Sequence, residues 1–292
     1  RMGGMDLSDV GYDAFLINGK RDSQLLTAHP GEKIRLRIIN AGASSYFYVS
    51  LAGLPMKVIA ADGTDITPVY ANELLMGMAE TFDVLFTVPD HKNYELRATS
   101  QDGIGYASSW IGMGAKVPAP DKSLPDLYAT MDHNAQAEHN LEKASPSTPE
   151  PSHSVHNAAT THEGLSVHQV ETITEDVMPM LTVDRIKAQN PTAFPKDKKV
   201  FDLKLLLTGD MERYIWHING KTVMEETKVS INEGDVVRFT FENTTMMHHP
   251  MHLHGHLFRV LNQFGDYSPL KHTVDIPPHG SRTIEFYANE PG

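Results

Sequence analysis

Apolar and polar residues alternate in short runs through most of this chain, and turn-forming residues separate the runs. Ile34-Arg35-Leu36-Arg37-Ile38-Ile39 sets apolar against basic side chains at every second position, the pattern of a half-buried antiparallel strand. Tyr46 to Leu51, Met56 to Ala60 and Thr81 to Val88 continue the period of two, with Gly, Pro, Asn or Asp at the breaks. Ala14-Phe15-Leu16-Ile17 runs into Asn18-Gly19, a strand followed by a hairpin turn. The alternation resumes at Phe201 to Leu207, Val236 to Phe241 and Leu257 to Leu261. No amphipathic stretch of helical period and useful length occurs in the first half. Short strands at this spacing predict an all-β chain of sandwiches or barrels.

Residues 130–192 break the pattern. Ser145-Pro146-Ser147-Thr148-Pro149-Glu150-Pro151-Ser152 has the composition of an extended or disordered tether. The expected organisation is therefore a first β-domain over residues 1–128, a flexible His-rich linker over 129–194 and a second β-domain over 195–292. The two β-rich halves also repeat each other. Ile17-Asn18-Gly19-Lys20 recurs as Ile218-Asn219-Gly220-Lys221, Pro30-Gly31-Glu32 aligns with Glu233-Gly234-Asp235, and Asn40 aligns with Asn243.

Composition adds exclusions. At 292 residues the chain is long enough for two cores, and its net charge of −12 opposes nucleic-acid binding, which needs concentrated Lys and Arg. No apolar run reaches the 18 or so residues of a membrane span. Sixteen histidines and no cysteine change the picture more. Five of those histidines fall in His248-His249-Pro250-Met251-His252-Leu253-His254-Gly255-His256, between strand-like flanks. Imidazole is the commonest protein ligand for copper, zinc, iron and nickel. On one strand His252 and His254 would share a face with Cα atoms roughly 6–7 Å apart, a spacing suited to two neighbouring ions. His249 lies at an odd offset and turns toward the opposite side. In the register of the repeat, Tyr46, Val49 and Leu51 stand opposite His249, His252 and His254, so the fold itself does not require the histidines.

Elsewhere the bland reading competes. His133, His139, His153, His156, His162 and His168 belong to a polar linker that could also bind copper(II) or zinc weakly. Met2, Met5, Met178 and Met180 could act as thioether ligands, and Met76, Met78 and Met113 read as core fillers. His217 reads as a surface strand residue, His279 as an exposed turn residue, and His272 and Asp275 as partners that orient a metal ligand.

The spacing His-Pro-x-His-x-His resembles the third-domain copper motif of the multicopper oxidases. Met211-Glu212-Arg213-Tyr214-Ile215-Trp216 and Lys271-His272-Thr273-Val274-Asp275-Ile276-Pro277-Pro278 narrow the resemblance to the bacterial copper-resistance branch. It implies tandem cupredoxin-like Greek-key β-sandwiches, the first without copper ligands. It also implies His249 as a type 1 copper ligand, His252 as a type 2 ligand and His254 as a type 3 ligand, in an enzyme holding four coppers. His248 and His256 match no ligand position. The reaction implied couples oxidation of a reducing substrate, copper(I) or phenolics, to reduction of O2 to water, in a periplasmic or otherwise exported protein serving copper tolerance. Family members also carry a His-Cys-His segment and first-domain His-x-His pairs that this sequence does not contain. The expectation is an internal piece of a longer enzyme, inactive alone, whose partners include a first domain and a C-terminal segment of the same protein. A non-catalytic copper-sequestering protein and a cupredoxin-based nitrite reductase stay open as alternatives.

Overall fold

The computed structural model describes residues 11–122, 177–210, 215–222, 224–225 and 228–290. They form strands, turns and two short 3-10 segments, with no α-helix among them. The first sheet runs in the order Asp22–Leu26, Tyr106–Gly112, Lys92–Ser100, Phe47–Leu51, Thr64–Met76, Met56–Ala61, Thr81–Thr87, Lys33–Ile39. Strand Thr81–Thr87 shows why the alternation folds this way: Phe82, Val84 and Phe86 are buried, while Thr81, Asp83 and Leu85 lie toward the surface. On that outer face Arg35 donates to Asp83 of the neighbouring strand, 2.8 Å from Nε. The long strand Thr64–Met76 pairs first with Met56–Ala61 and then with Phe47–Leu51. It thereby carries the sheet around a corner and closes its apolar face on one core.

The second sheet has six strands, in the order Ile215–Ile218, Val200–Asp210, Val236–Asn243, Ser281–Tyr287, Phe258–Val260, Leu270–Lys271. Facing it is a two-stranded antiparallel ribbon, His249–His252 paired with Thr273–Ile276. Val274 and Ile276 are fully buried from the ribbon side and pack with Phe239, Phe258, Ile284 and Phe286 from the sheet. Among the described residues that ribbon is the whole of the facing layer, and it carries the histidine stretch.

The repeat read from the sequence recurs as matched geometry. Ile17 bridges Lys20 around Asn18 and Gly19, and Ile218 bridges Lys221 around Asn219 and Gly220, with all four turn residues at positive φ. The Asn40 amide donates to the carbonyls of Ser45 and Met76, each at 2.9 Å, and its oxygen accepts from Gly42 N–H. Asn243 does the same toward Met247 at 2.6 Å and Ile276 at 3.2 Å, and accepts from Thr245 N–H. Each buried asparagine ties the loop after its strand to the opposite layer, which explains a polar residue at a core position.

Part of the sequence expectation needs correction. Residues 177–194, placed in the flexible linker, belong to the folded body. Val177–Leu181 adds in parallel to Thr64–Met76, Leu181 and Ile186 are buried in the first core, and Thr192 contacts Arg259 of the second sheet at 3.1 Å. The rest of that linker, residues 129–176 with its six histidines, lies outside the described residues, as do Met2 and Met5.

One ion pair inside the first body makes a testable acid-stability device. Arg97 grips buried Glu95 through two N–H donors at 3.0 and 2.8 Å, and Ser108 and the Ala119 N–H add two more hydrogen bonds. Burial alone would raise the Glu95 pKa, but these donors outweigh it and hold the carboxyl below its ordinary value of 4.5. A depressed folded pKa contributes stability that is present above 4.5 and lost as pH falls through the folded value. Urea midpoints measured from neutral pH downward should therefore drop steeply below 4.5, and Glu95→Gln should flatten that drop. An unchanged acid slope in Glu95→Gln would refute the assignment.

Candidate metal centre

The histidine ribbon is held at both ends. Asn243 fixes the loop entering it, and the ladder with Thr273–Ile276 sets its register, His249 opposite Ile276 and His252 opposite Thr273. His252 is exposed at the end of its strand. Its Nδ1 lies 2.7 Å from the carbonyl oxygen of His272 and 3.0 Å from Thr273 Oγ1. A carbonyl can only accept, so Nδ1 must carry the proton and Nε2 keeps its lone pair for a metal. This is the arrangement in which an outer partner selects the tautomer of a ligating imidazole.

His254 is exposed as well, but it does not continue the strand. The strand ends at His252, and His254 enters a turn completed by Gly255 at φ +77°. The turn brings the two rings to 4.9 Å between centroids, and the His272 ring lies 5.4 Å from His252 on another side. The expected shared strand was incorrect, and the rings converge through the turn instead.

His249 occupies different surroundings. Its Nε2 sits 2.8 Å from Thr245 Oγ1, and its ring meets the Trp216 indole edge-on at 4.9 Å. Among the described residues Nδ1 has no partner, so His249 and His252 offer opposite ring nitrogens. Burial holds the His249 pKa below its ordinary 6.5, despite the attraction of Asp275, which keeps the ring neutral as a metal ligand requires. The ring opens onto a cleft of about 190 Å³ between the two sheets, lined by Ser44, Tyr46, Met78, Gln101, Trp216, Met247, His248 and Pro250. Met78, read from sequence as a core filler, lines this cleft, whereas Met76 is fully buried. Asp275 braces two of these residues: Tyr46 donates to its Oδ1 at 2.8 Å, and His248 Nδ1 lies 2.9 Å from Oδ2. Sequence reasoning left Tyr46 as a ligand-free counterpart of His249, and its contact with residue 275 had no local signal.

Trp216 is seated against Gly209, where a Cβ would fall 2.6 Å from the indole. Gly209→Ala is therefore expected to push the indole off His249, read as a shift of tryptophan emission. An unmoved emission spectrum would show that Trp216 does not depend on that close approach.

His256 sits beside Phe286 with a buried Nε2 that has no hydrogen-bond partner among the described residues, and His279 is exposed in a turn. Among the described residues no three His, Cys, Asp or Glu side chains converge tightly enough to hold one ion unaided. The donors that the ribbon offers are imidazoles, a ligand type that suits copper.

Fold and donors together describe a copper-binding protein built from β-sandwiches. The chain belongs to the multicopper oxidase family, whose sequence models match residues 3–111 and 195–292. It is similar to copper resistance protein A of Escherichia coli, 30% identical over all of this chain and 58% of that protein. It is also similar to multicopper oxidase MmcO of Mycobacterium tuberculosis, 28% identical over 99% of this chain and 48% of that protein. The chain thus spans about half the length of the curated relatives it matches. Among solved structures it resembles Fet3p, described as a multicopper oxidase that functions in iron import, with a TM-score of 0.59 at 15% identity over 94% of this chain and 54% of that one. A multicopper oxidase from Campylobacter jejuni superposes with a TM-score of 0.57 at 17% identity, over 96% of this chain and 52% of that one. Copper is the metal of this family, and no helix among the described residues is long and apolar enough to cross a membrane.

Proposed function

We propose that this chain supplies two cupredoxin-like domains, residues 1–128 and 195–292, of an exported multicopper oxidase serving copper tolerance. The reading rests on one observation: His252 holds its Nδ1 proton against a carbonyl and presents Nε2 to solvent beside His254, while His249 faces a separate cleft. His249 is then the ligand of the type 1 copper, His252 of the type 2 copper and His254 of one type 3 copper. Copper held by these imidazoles would supply the one-electron chemistry that couples oxidation of a reducing substrate, copper(I) or a phenol, to reduction of O2. The chain's own part is to orient these imidazoles, keep His249 neutral and shield it with Trp216 and Met247. The similarity to copper resistance protein A supports copper tolerance.

The chain has no cysteine, and the intense blue colour of a type 1 site comes from a copper–thiolate bond. The 292-residue chain loaded with copper should therefore bind one or two ions without an intense blue band, and should consume no O2 with copper(I) or phenolic donors. Absorption spectra and an oxygen electrode make the test. A blue band or turnover from this chain would overturn the division of ligands, and tight copper binding without turnover in the full-length protein would point to a sequestering role.

A further inference from the structure

The lock on His252 extends into the first sheet. The carbonyl that receives its Nδ1 proton belongs to the His272–Thr273 peptide, and the N–H of that same peptide donates to Asp62 Oδ2 at 3.1 Å. His272 N–H donates to the same oxygen at 3.0 Å. Asp62 lies in the turn between Met56–Ala61 and Thr64–Met76, at φ +48° and followed by Gly63 at φ +77°, the backbone that an Asp-Gly hairpin turn adopts. Its side chain has no exposed surface. Lys271 Nζ stands 3.1 Å from Asp62 and 3.1 Å from Glu80, so a buried cation faces both carboxylates. Thr64 Oγ1 adds a hydrogen bond to the Leu270 carbonyl at 2.7 Å, clamping the same segment from the same turn.

We infer that Asp62 is a positioning residue for the metal-binding tautomer of His252, acting through the His272–Thr273 peptide from the neighbouring sheet. A carboxylate on the N–H side of an amide polarises the carbonyl on its other side, and a more negative carbonyl holds an imidazole N–H more firmly. The effect is that of a carboxylate bound directly to a ligating histidine, relayed by one peptide group. Seating of the first sheet against the second thereby decides which nitrogen His252 offers. Glu80 is a built-in control, since it shares Lys271 with Asp62 but makes no contact with this peptide.

The inference rests on the proposed role of His252 as a copper ligand, and the test separates the two. Ring nitrogen chemical shifts of His252 are read in the metal-free chain, assigned by their loss in His252→Gln, for wild type, Asp62→Asn and Glu80→Gln. Copper(II) titration of each protein follows. Wild type and Glu80→Gln should show one tautomer protonated at Nδ1. Asp62→Asn should show a mixture and bind copper(II) at this site about tenfold more weakly. A mixed tautomer in wild type, or equal changes in both variants, would overturn the inference and leave Asp62 a structural residue. Should Asp62→Asn fail to fold, Asp62→Asn/Lys271→Met/Glu80→Gln, which leaves none of the three buried charges, carries the same comparison against Lys271→Met/Glu80→Gln. If the tautomer responds as expected but His252→Gln loses no copper, the ligand assignment fails and the positioning stands.

Discussion

Replacing His249 with alanine in the copper-loaded full-length protein is expected to abolish the blue absorption and substrate oxidation while most of the other copper stays bound. Replacing His252 should do the reverse, sparing the colour and removing O2 reduction. The expectation follows from the separate surroundings of the two rings. His249 touches Thr245 and Trp216 on the cleft between the sheets, whereas His252 touches His272, Thr273 and His254 on the exposed side of the ribbon. Truncating His249 frees one side of the Thr245 hydroxyl, which still donates to Asn243 Oδ1 and accepts from the Met247 N–H, so the fold should lose only about 1 kcal/mol. Copper count, absorption spectrum and oxygen uptake on both variants decide the matter. Equal loss of both signals from either substitution would show that the histidines have been divided wrongly.

How much of this was legible in the sequence depends on how local each cause is. The Asn-Gly turns at 18–19 and 219–220 and the alternating strands could be read directly, because both are set by neighbours in the chain. The histidine stretch was legible because no core or solvated face calls for that density of imidazole. The end of the strand at His252 was not, since Leu253 and His254 continue the alternation and only the backbone at Gly255 breaks it. Val177–Leu181 falls within the stretch where the alternation breaks and so read as linker, yet it pairs in parallel with Thr64–Met76, and an edge strand tolerates Pro179, which has no N–H to donate. The burial of Lys271 had no local signal. Its partners Asp62 and Glu80 lie about two hundred residues earlier in the chain, and nothing in either neighbourhood announces the other.

Lys271→Ala is expected to cost on the order of 3–5 kcal/mol, the usual penalty for leaving buried charge without its partner. Lys271 is 1% exposed and faces Asp62 and Glu80, whose side chains are 0% and 7% exposed, so no water replaces the lost ammonium. Burial alone would depress the Lys271 pKa, but the two carboxylates hold it above the ordinary 10.5, and the lysine stays charged through the whole neutral range. Burial keeps the Glu80 pKa above 4.5 even beside that cation. A carboxyl with a raised folded pKa binds more protons folded than unfolded, so its penalty is absent below 4.5 and grows as pH rises through the folded value. Removing the lysine raises the folded value further. The stability gap between wild type and Lys271→Ala, from urea unfolding, should therefore narrow as pH falls toward 4.5. Lys271→Met/Glu80→Gln should recover most of the gap, because Asp62 keeps its three backbone donors, Thr81, His272 and Thr273, and a side chain of similar volume fills the site. A gap that is independent of pH and persists in the double variant would mean that lost packing at the sheet interface, not stranded charge, sets the cost.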